Sequence, residues 1–252
     1  MTAWFDTHCH PYMAKNSVAE QVERALVAGV GEMVIVGVDL DTSEEAIEIA
    51  CLYEGVYAAV GVHPNESEDL PIEAIRDLAA HPKVVAIGET GIDLYRDRVS
   101  IDKQETAFRA QIALAKETGK ALIVHGRDAH PEVKRILKSE GPPDRFVMHC
   151  FLGTPDDGRD YIELGAYLSL AGPVTFTNAP ELRDAVSELP LESMVVETDS
   201  PFLSPHPFRG KPNEPARVAL VGEAIAHIKR VDASVVAETT TANARHLFGI
   251  EP

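Results

Sequence analysis

The chain has 252 residues, 45% hydrophobic and 25% charged, with 23 basic and 40 acidic side chains for a formal net charge of −17. That length suits one large domain with a sizeable core, and the acidic balance excludes a broad basic footprint for duplex nucleic acid. No run of about 18 apolar residues is present, which excludes a membrane-spanning helix.

One alternation repeats along the chain: a short β-branched run, a polar loop, then a stretch of helical period. The first strand is predicted over residues 3–7. A helix follows with Val18, Val22, Ala25 and Leu26 on its apolar face. Residues 33–36, Met-Val-Ile-Val, form a continuous apolar run, as a strand covered on both faces requires. Thr42 with Glu45 predicts a capping-box start for the second helix. A third strand over 57–61 precedes a helix over 72–80, and a fourth strand over 84–87 precedes a helix over 102–118, which Gly119 ends. The fifth strand is 121–124, with Val133, Ile136 and Leu137 marking the next helix. Strands at 146–148, 166–170 and 194–196 alternate with helices at 156–164 and 180–189. A Pro-rich loop fills 201–215, and the last helices carry Val218, Val221, Ile225 and Ile228, then 233–247. Eight strand–helix units over residues 1–252 predict a single-domain α/β protein, a (β/α)8 TIM barrel. A doubly wound sheet shares the alternation, but no Gly-x-Gly-x-x-Gly follows the first strand.

A barrel carries its chemistry at the C-terminal ends of its strands. Five of the ten histidines fall there: His8, His10, His63, His125 and His149. Glu89 ends the fourth strand and Asp199 follows the eighth. Strand period two turns His8 and His10 to one face and Cys9 to the other. Four histidines and two carboxylates exceed what one tetrahedral ion takes, and suit two ions. Cys9 and Cys150 are expected in the core. The N-terminus lacks the basic and apolar regions of a signal peptide, and an odd set of three cysteines reads as reduced thiols, so a cytoplasmic protein is expected; a monomer is the expected state.

Six stretches carry a resemblance: Asp6-Thr7-His8-Cys9-His10, Gly61-Val62-His63-Pro64, Gly88-Glu89-Thr90-Gly91-Ile92-Asp93, Val124-His125-Gly126-Arg127-Asp128-Ala129, His149-Cys150-Phe151 and Glu197-Thr198-Asp199-Ser200-Pro201. Helix residues 104–115 and the end Asn243-Ala244-Arg245-His246-Leu247-Phe248 add to it. Over essentially the whole chain the sequence resembles the TatD family of metal-dependent deoxyribonucleases, within the amidohydrolase superfamily. It departs from the family at Gly126, where many members have Cys, and at Leu152, where Ser is frequent; neither is a ligand position.

The resemblance implies two divalent ions per chain, from magnesium, manganese, zinc, nickel or cobalt. By position, His8, His10, Asp199 and Glu89 hold one, and Glu89 bridges to a second held by His125 and His149. It implies 3′-5′ exonuclease action on the end of single-stranded DNA or RNA, with Asp199, Glu89 and His63 as catalytic residues. Asp199 orients the attacking water and accepts its proton. His63, Arg127 and Asn213 are the expected substrate contacts, with Arg209 and Lys211 as further candidates for phosphate. Tyr95 and Phe151 are candidates for stacking on a base. The alternatives are another hydrolase of the superfamily, acting on an ester, lactone, amide or acylated tRNA, and a non-catalytic metal-binding barrel. A carboxylated-lysine bridge is argued against, because the fourth strand end offers Glu89 and no lysine.

Overall fold

A computed structural model describes residues 4–96 and 98–251. Ala3, expected to open the first strand, lies outside them. The described chain runs through β1 (Trp4–Cys9), α1 (Val18–Val27), β2 (Val30–Val36), α2 (Leu40–Leu52), β3 (Val56–Val60), α3 (Ile72–Ala79), β4 (Val84–Asp93) and α4 (Ile101–Thr118). It continues through β5 (Ala121–Arg127), α5 (His130–Glu140), β6 (Phe146–Met148), α6 (Pro155–Glu163), β7 (Ala166–Leu170), α7 (Pro180–Glu188), β8 (Met194–Val196), α8 (Val218–Lys229) and α9 (Ala233–Phe248). The strands are parallel and hydrogen-bonded in sequence order from β1 to β8, a nearly closed (β/α)8 barrel as the alternation predicts. No helix among the described residues is long and apolar enough to cross a membrane.

The described residues fall into two compact units. Among them, the first draws on residues 4–34, 150–162 and 167–246, the second on residues 35–96, 98–149, 163–166 and 247–251.

In the first unit every residue of β1 is buried, Asp6, Thr7 and His8 included. Such polar groups are tolerated inside only when hydrogen-bonded. The Thr7 hydroxyl accordingly donates to the Val196 carbonyl at 3.0 Å. Helix α1 starts at Ser17, whose hydroxyl accepts the Glu20 N–H at 3.2 Å. Its buried stripe takes in Val22 and Ala25 but turns toward Gln21, whose amide donates to the Pro11 carbonyl at 2.9 Å. Leu26, expected on that stripe, is displaced to its edge and is 56% exposed. Strands β7 and β8 pair in parallel through Leu168–Met194, Ser169–Val195 and Leu170–Val196.

In the second unit, the capping box of α2 lies three residues before the predicted one. Asp39 is the N-cap and Thr42 the third helical residue, with the Asp39 carboxylate accepting the Thr42 N–H at 2.8 Å and the Thr42 hydroxyl accepting the Asp39 N–H. The largest departure from the sequence reading is the length of β4 and β5. The predicted apolar cores, 84–87 and 121–124, are buried as expected, but the strands run on to Asp93 and Arg127.

Two features make that extension possible. First, the β4–β5 register shifts between Ile87 and Thr90, then resumes as Thr90–Val124, Gly91–His125, Ile92–Gly126 and Asp93–Arg127. Gly91 sits at φ +148°, and a Cβ there would lie 2.0 Å from the His125 carbonyl oxygen, so only glycine fits. Second, two buried glutamines seven residues apart on one face of α4 hold the extension, one through the Asp93 backbone and the other through the Thr90 hydroxyl and the Val62 backbone beside it. Gln111 accepts the Val62 N–H at 2.8 Å and donates to the Val62 carbonyl at 3.0 Å and the Thr90 hydroxyl at 2.7 Å. Gln104 accepts the Asp93 N–H at 2.8 Å and donates to the Val99 carbonyl at 2.8 Å. Apolar periodicity cannot predict this, because the residues that fix it are polar.

Candidate metal centre

Within the first unit, His8 and His10 point to the same side of β1, as strand parity predicts. Their Nε2 atoms are 3.0 Å apart. The Asp199 Oδ1 lies 3.6 Å from the His10 Nε2. The backbone stitches these residues together: the His10 N–H donates to the Ser200 carbonyl at 2.7 Å, and the Asp199 N–H donates to the His8 carbonyl at 2.9 Å. Asp199 holds a left-handed conformation, φ +52°, a rare state for a non-glycine residue that clusters at functional sites. The ligand atoms of His8, His10 and Asp199 all lie within 4.8 Å of one another. Metal–ligand bonds of roughly 2.0–2.2 Å put neighbouring ligand atoms about 3–3.5 Å apart. The nitrogen–oxygen set and its spacing therefore fit a divalent ion.

Beneath this cluster is a buried polar layer. Asp6 accepts from the Thr198 N–H at 2.8 Å and the Thr198 hydroxyl at 2.6 Å. Burial pushes its carboxyl up to about 8, against the lowering effect of those Thr198 bonds. Glu197 accepts from the Cys150 N–H at 2.9 Å and the Ser169 hydroxyl at 2.5 Å. Asn213 is buried too. Its side-chain amide donates to the Thr198 carbonyl at 2.9 Å and its side-chain oxygen accepts the Glu214 N–H at 3.0 Å. Asn213 thus braces the segment holding Asp199 from inside, where a substrate contact was expected. Cys9 is fully buried and its thiol donates to the Val34 carbonyl at 3.4 Å; burial holds its pKa well above the ordinary range. Cys150 is only half-buried and lies in a turn with φ +45°. Strand parity does not govern it, because β6 ends at Met148.

Within the second unit, one carboxylate oxygen is the hub. Glu89 Oε1 lies 2.6 Å from His125 Nδ1, 3.5 Å from His149 Nε2 and 3.6 Å from His63 Nε2. Glu89 and His149 are buried. The three imidazoles differ in their other nitrogen. His63 Nδ1 accepts the Asn65 N–H at 3.0 Å, which assigns the proton of a neutral ring to Nε2. His63 is thereby a donor and not a metal ligand in that tautomer. His125 has the reverse arrangement: its Nε2 lies 3.4 Å from Asp93 Oδ2, leaving Nδ1 toward Glu89. A carboxylate behind the distal nitrogen is how ligating histidines are oriented. Burial alone would lower the His125 pKa, but Asp93 and Glu89 reverse this and raise it. Burial would raise the Asp93 carboxyl, yet the hydrogen bonds from His125, the Arg96 N–H and Asn65 hold it well below the ordinary carboxylate range. The chemistry of the donors, Glu89 with His125 and His149, fits a divalent ion here too, while ligand atoms of His63, Asp93 and His125 also lie within 4.8 Å of one another.

Arg127, at the end of β5, is exposed and stacks on the Tyr95 ring with Cζ 3.9 Å from its centroid. Arg209 stacks on Phe176 at 4.3 Å, and Lys211 lies over Phe208 at 5.9 Å. Phe151 is buried, edge-on to Tyr161, and is thus a packing residue. Sequence reasoning missed Asp93, Asp6 and Glu197. The signal for Asp6 was present, since residues 6, 8 and 10 share one strand face. For Asp93 the register shift hid it.

A family model for TatD-related DNases matches residues 5–249. The chain is 44% identical over 252 residues to a Bacillus subtilis protein named uncharacterized metal-dependent hydrolase YabD, covering 98% of this chain and 99% of that one. It is 38% identical over 240 residues to a Shigella flexneri protein named 3′-5′ ssDNA/RNA exonuclease TatD, covering 91% and 92%. The crystal structure of YjjV, a TatD homologue from Escherichia coli, matches with a TM-score of 0.92 at 30% identity over 98% of each chain.

Proposed function

This chain belongs to the family of TatD-related DNases, metal-dependent hydrolases of ester bonds, and from that premise we propose that it removes nucleotides from the 3′ end of single-stranded DNA or RNA. The observation that carries the reading is the pair of histidine–carboxylate clusters at strand ends. In this reading His8, His10 and Asp199 would hold one divalent ion, and Glu89, His125 and His149 another. When bound, such ions acidify water and neutralise charge on phosphoryl oxygens.

The protein's own groups supply the rest. Asp199, held by the Asp199-to-His8 backbone bond, orients the attacking water and takes its proton. His63 presents Nε2–H to a phosphate oxygen, a role its tautomer supports. Arg127 offers guanidinium edges to the same group. Asp93 holds the His125 ring in the orientation that directs Nδ1 inward. A net charge of −17 gives little non-specific affinity for a polyanion, so binding concentrates where cations gather.

The test is release of mononucleotides from 5′-labelled single-stranded DNA and RNA by the purified chain with magnesium, manganese, zinc, nickel or cobalt, alongside a carboxylic ester. Activity on the oligonucleotides and its loss in Glu89→Ala is the expected result. Undiminished release by Glu89→Ala, or turnover of the ester alone, sinks the proposal.

A further inference from the structure

Tyr95 is 63% exposed, yet its backbone is anchored and its ring is backed by a cation. Asp93, which is 2% exposed, accepts the N–H groups of both Tyr95 and Arg96 through Oδ1, each at 2.9 Å. Its Oδ2 accepts from Asn65 at 2.8 Å and faces His125. The Leu94 N–H donates to the Arg127 carbonyl at 3.0 Å, extending the Asp93–Arg127 pairing of β4 and β5. Arg127 covers one face of the Tyr95 ring. An aromatic side chain that serves only as surface covering gains nothing from such anchoring. An exposed ring with a fixed backbone, a cation behind one face and open solvent before the other is a preformed stacking surface, ordered in advance of its ligand.

The platform is also close to the chemistry. Arg127 follows His125 by two residues on β5, about 7 Å along the strand and on the same face. Stacking engages only the face of the guanidinium, so its edge N–H groups stay directed outward for an anion. A flat apolar group on Tyr95 and an anion on Arg127, next to a hydrolytic centre, describe a nucleotide.

We infer that Tyr95, backed by Arg127, is a stacking subsite for the nucleobase at the end of a single strand. The inference rests on the nuclease reading above and adds the part of the substrate that the metal clusters do not contact. Stacking is tolerant of base identity, so the subsite favours an unpaired end over a particular sequence.

The experiment compares two 5′-labelled oligonucleotides, one ending in a normal 3′ nucleoside and one ending in an abasic tetrahydrofuran residue. The quantity read is the ratio of their kcat/KM values, for wild type, Tyr95→Ala, Tyr95→Trp and Arg127→Ala, with thermal melts confirming folding. One base on an aromatic ring accounts for about 5- to 150-fold in binding. Tyr95→Ala should lower the ratio by that factor, mainly through KM, Tyr95→Trp should keep it, and Arg127→Ala should lower it in part. A ratio unmoved by Tyr95→Ala, or one lowered equally by Tyr95→Trp, overturns the subsite while leaving the nuclease reading in place. Wild type that cleaves neither oligonucleotide overturns the nuclease reading and the subsite with it.

Discussion

The two clusters are built by different means. In the first unit, Asp6, His8 and His10 follow from simple alternation along β1, and Asp199 joins them through backbone bonds to the same strand. In the second, Glu89 sits inside a shifted register, His125 lies on an extension of β5, and glutamines from α4 hold the frame. A site carried by a strand's own period depends little on its surroundings. A site carried by an irregular strand depends on every residue that stabilises the irregularity. The second cluster is therefore the fragile one.

The sharpest way to break this comparison is Gly91→Ala. The new methyl group meets the His125 carbonyl at 2.0 Å in a conformation that non-glycine residues rarely adopt. Strain of about 3 kcal/mol or more is expected, seen as a lower denaturation midpoint. Equilibrium dialysis should show that the ion bound through His125 is lost while the one bound through His8 and His10 is kept. Loss of both together would mean that the clusters are not separable.

Asp93→Asn acts on the same cluster with less force. The side-chain oxygen that accepts the Tyr95 and Arg96 N–H groups survives as the amide oxygen, but the charge facing His125 Nε2 is removed. Metal affinity through His125 should fall about 10- to 100-fold, measured by calorimetric titration, with a melting temperature close to wild type. Unchanged affinity would reduce Asp93 to a loop anchor. The counterpart in the first unit is Thr198→Val, which strips the Asp6 carboxyl group of its partner hydroxyl at 2.6 Å and should destabilise the fold by about 1–3 kcal/mol. If the comparison holds, that loss leaves the His8–His10 spacing and its metal affinity nearly intact.

The same contrast explains what could be read from the sequence. The barrel was legible because buried parallel strands are continuous apolar runs and the helices between them keep their period. The histidines were legible because they occur at the ends of those runs. What stayed hidden depends on polar residues acting at a distance. Nothing local marks Gln104 and Gln111 as the clamps of β4, and nothing marks Gly91 as the point where β5 approaches closest. Asn213 lies in a loop of prolines, glycine and charges, where the sequence predicts a substrate contact, and nothing local marks that its amide is buried against Thr198. The capping box of α2 was misplaced because Thr42 makes either partner of such a box; only the backbone shows that Asp39 precedes it as the cap.

A pair of cap substitutions supplies the smallest effect and tests whether fragility belongs to the cluster or to the whole second unit. Ser17 caps α1 with one exposed bond of 3.2 Å. Asp39 caps α2 with a bond of 2.8 Å that Thr42 reciprocates. Replacing a cap by alanine costs about 0.5–2 kcal/mol, so Ser17→Ala should fall near the lower figure and Asp39→Ala nearer the upper. At roughly 2–4 °C per kcal/mol for a chain of this size, both shifts are readable by thermal melts. Neither cap touches a histidine or carboxylate of the clusters, so metal stoichiometry should be unchanged in both. If Asp39→Ala instead weakens metal binding through His125, the dependence on surroundings extends past the β4–β5 frame to the helices that cover it.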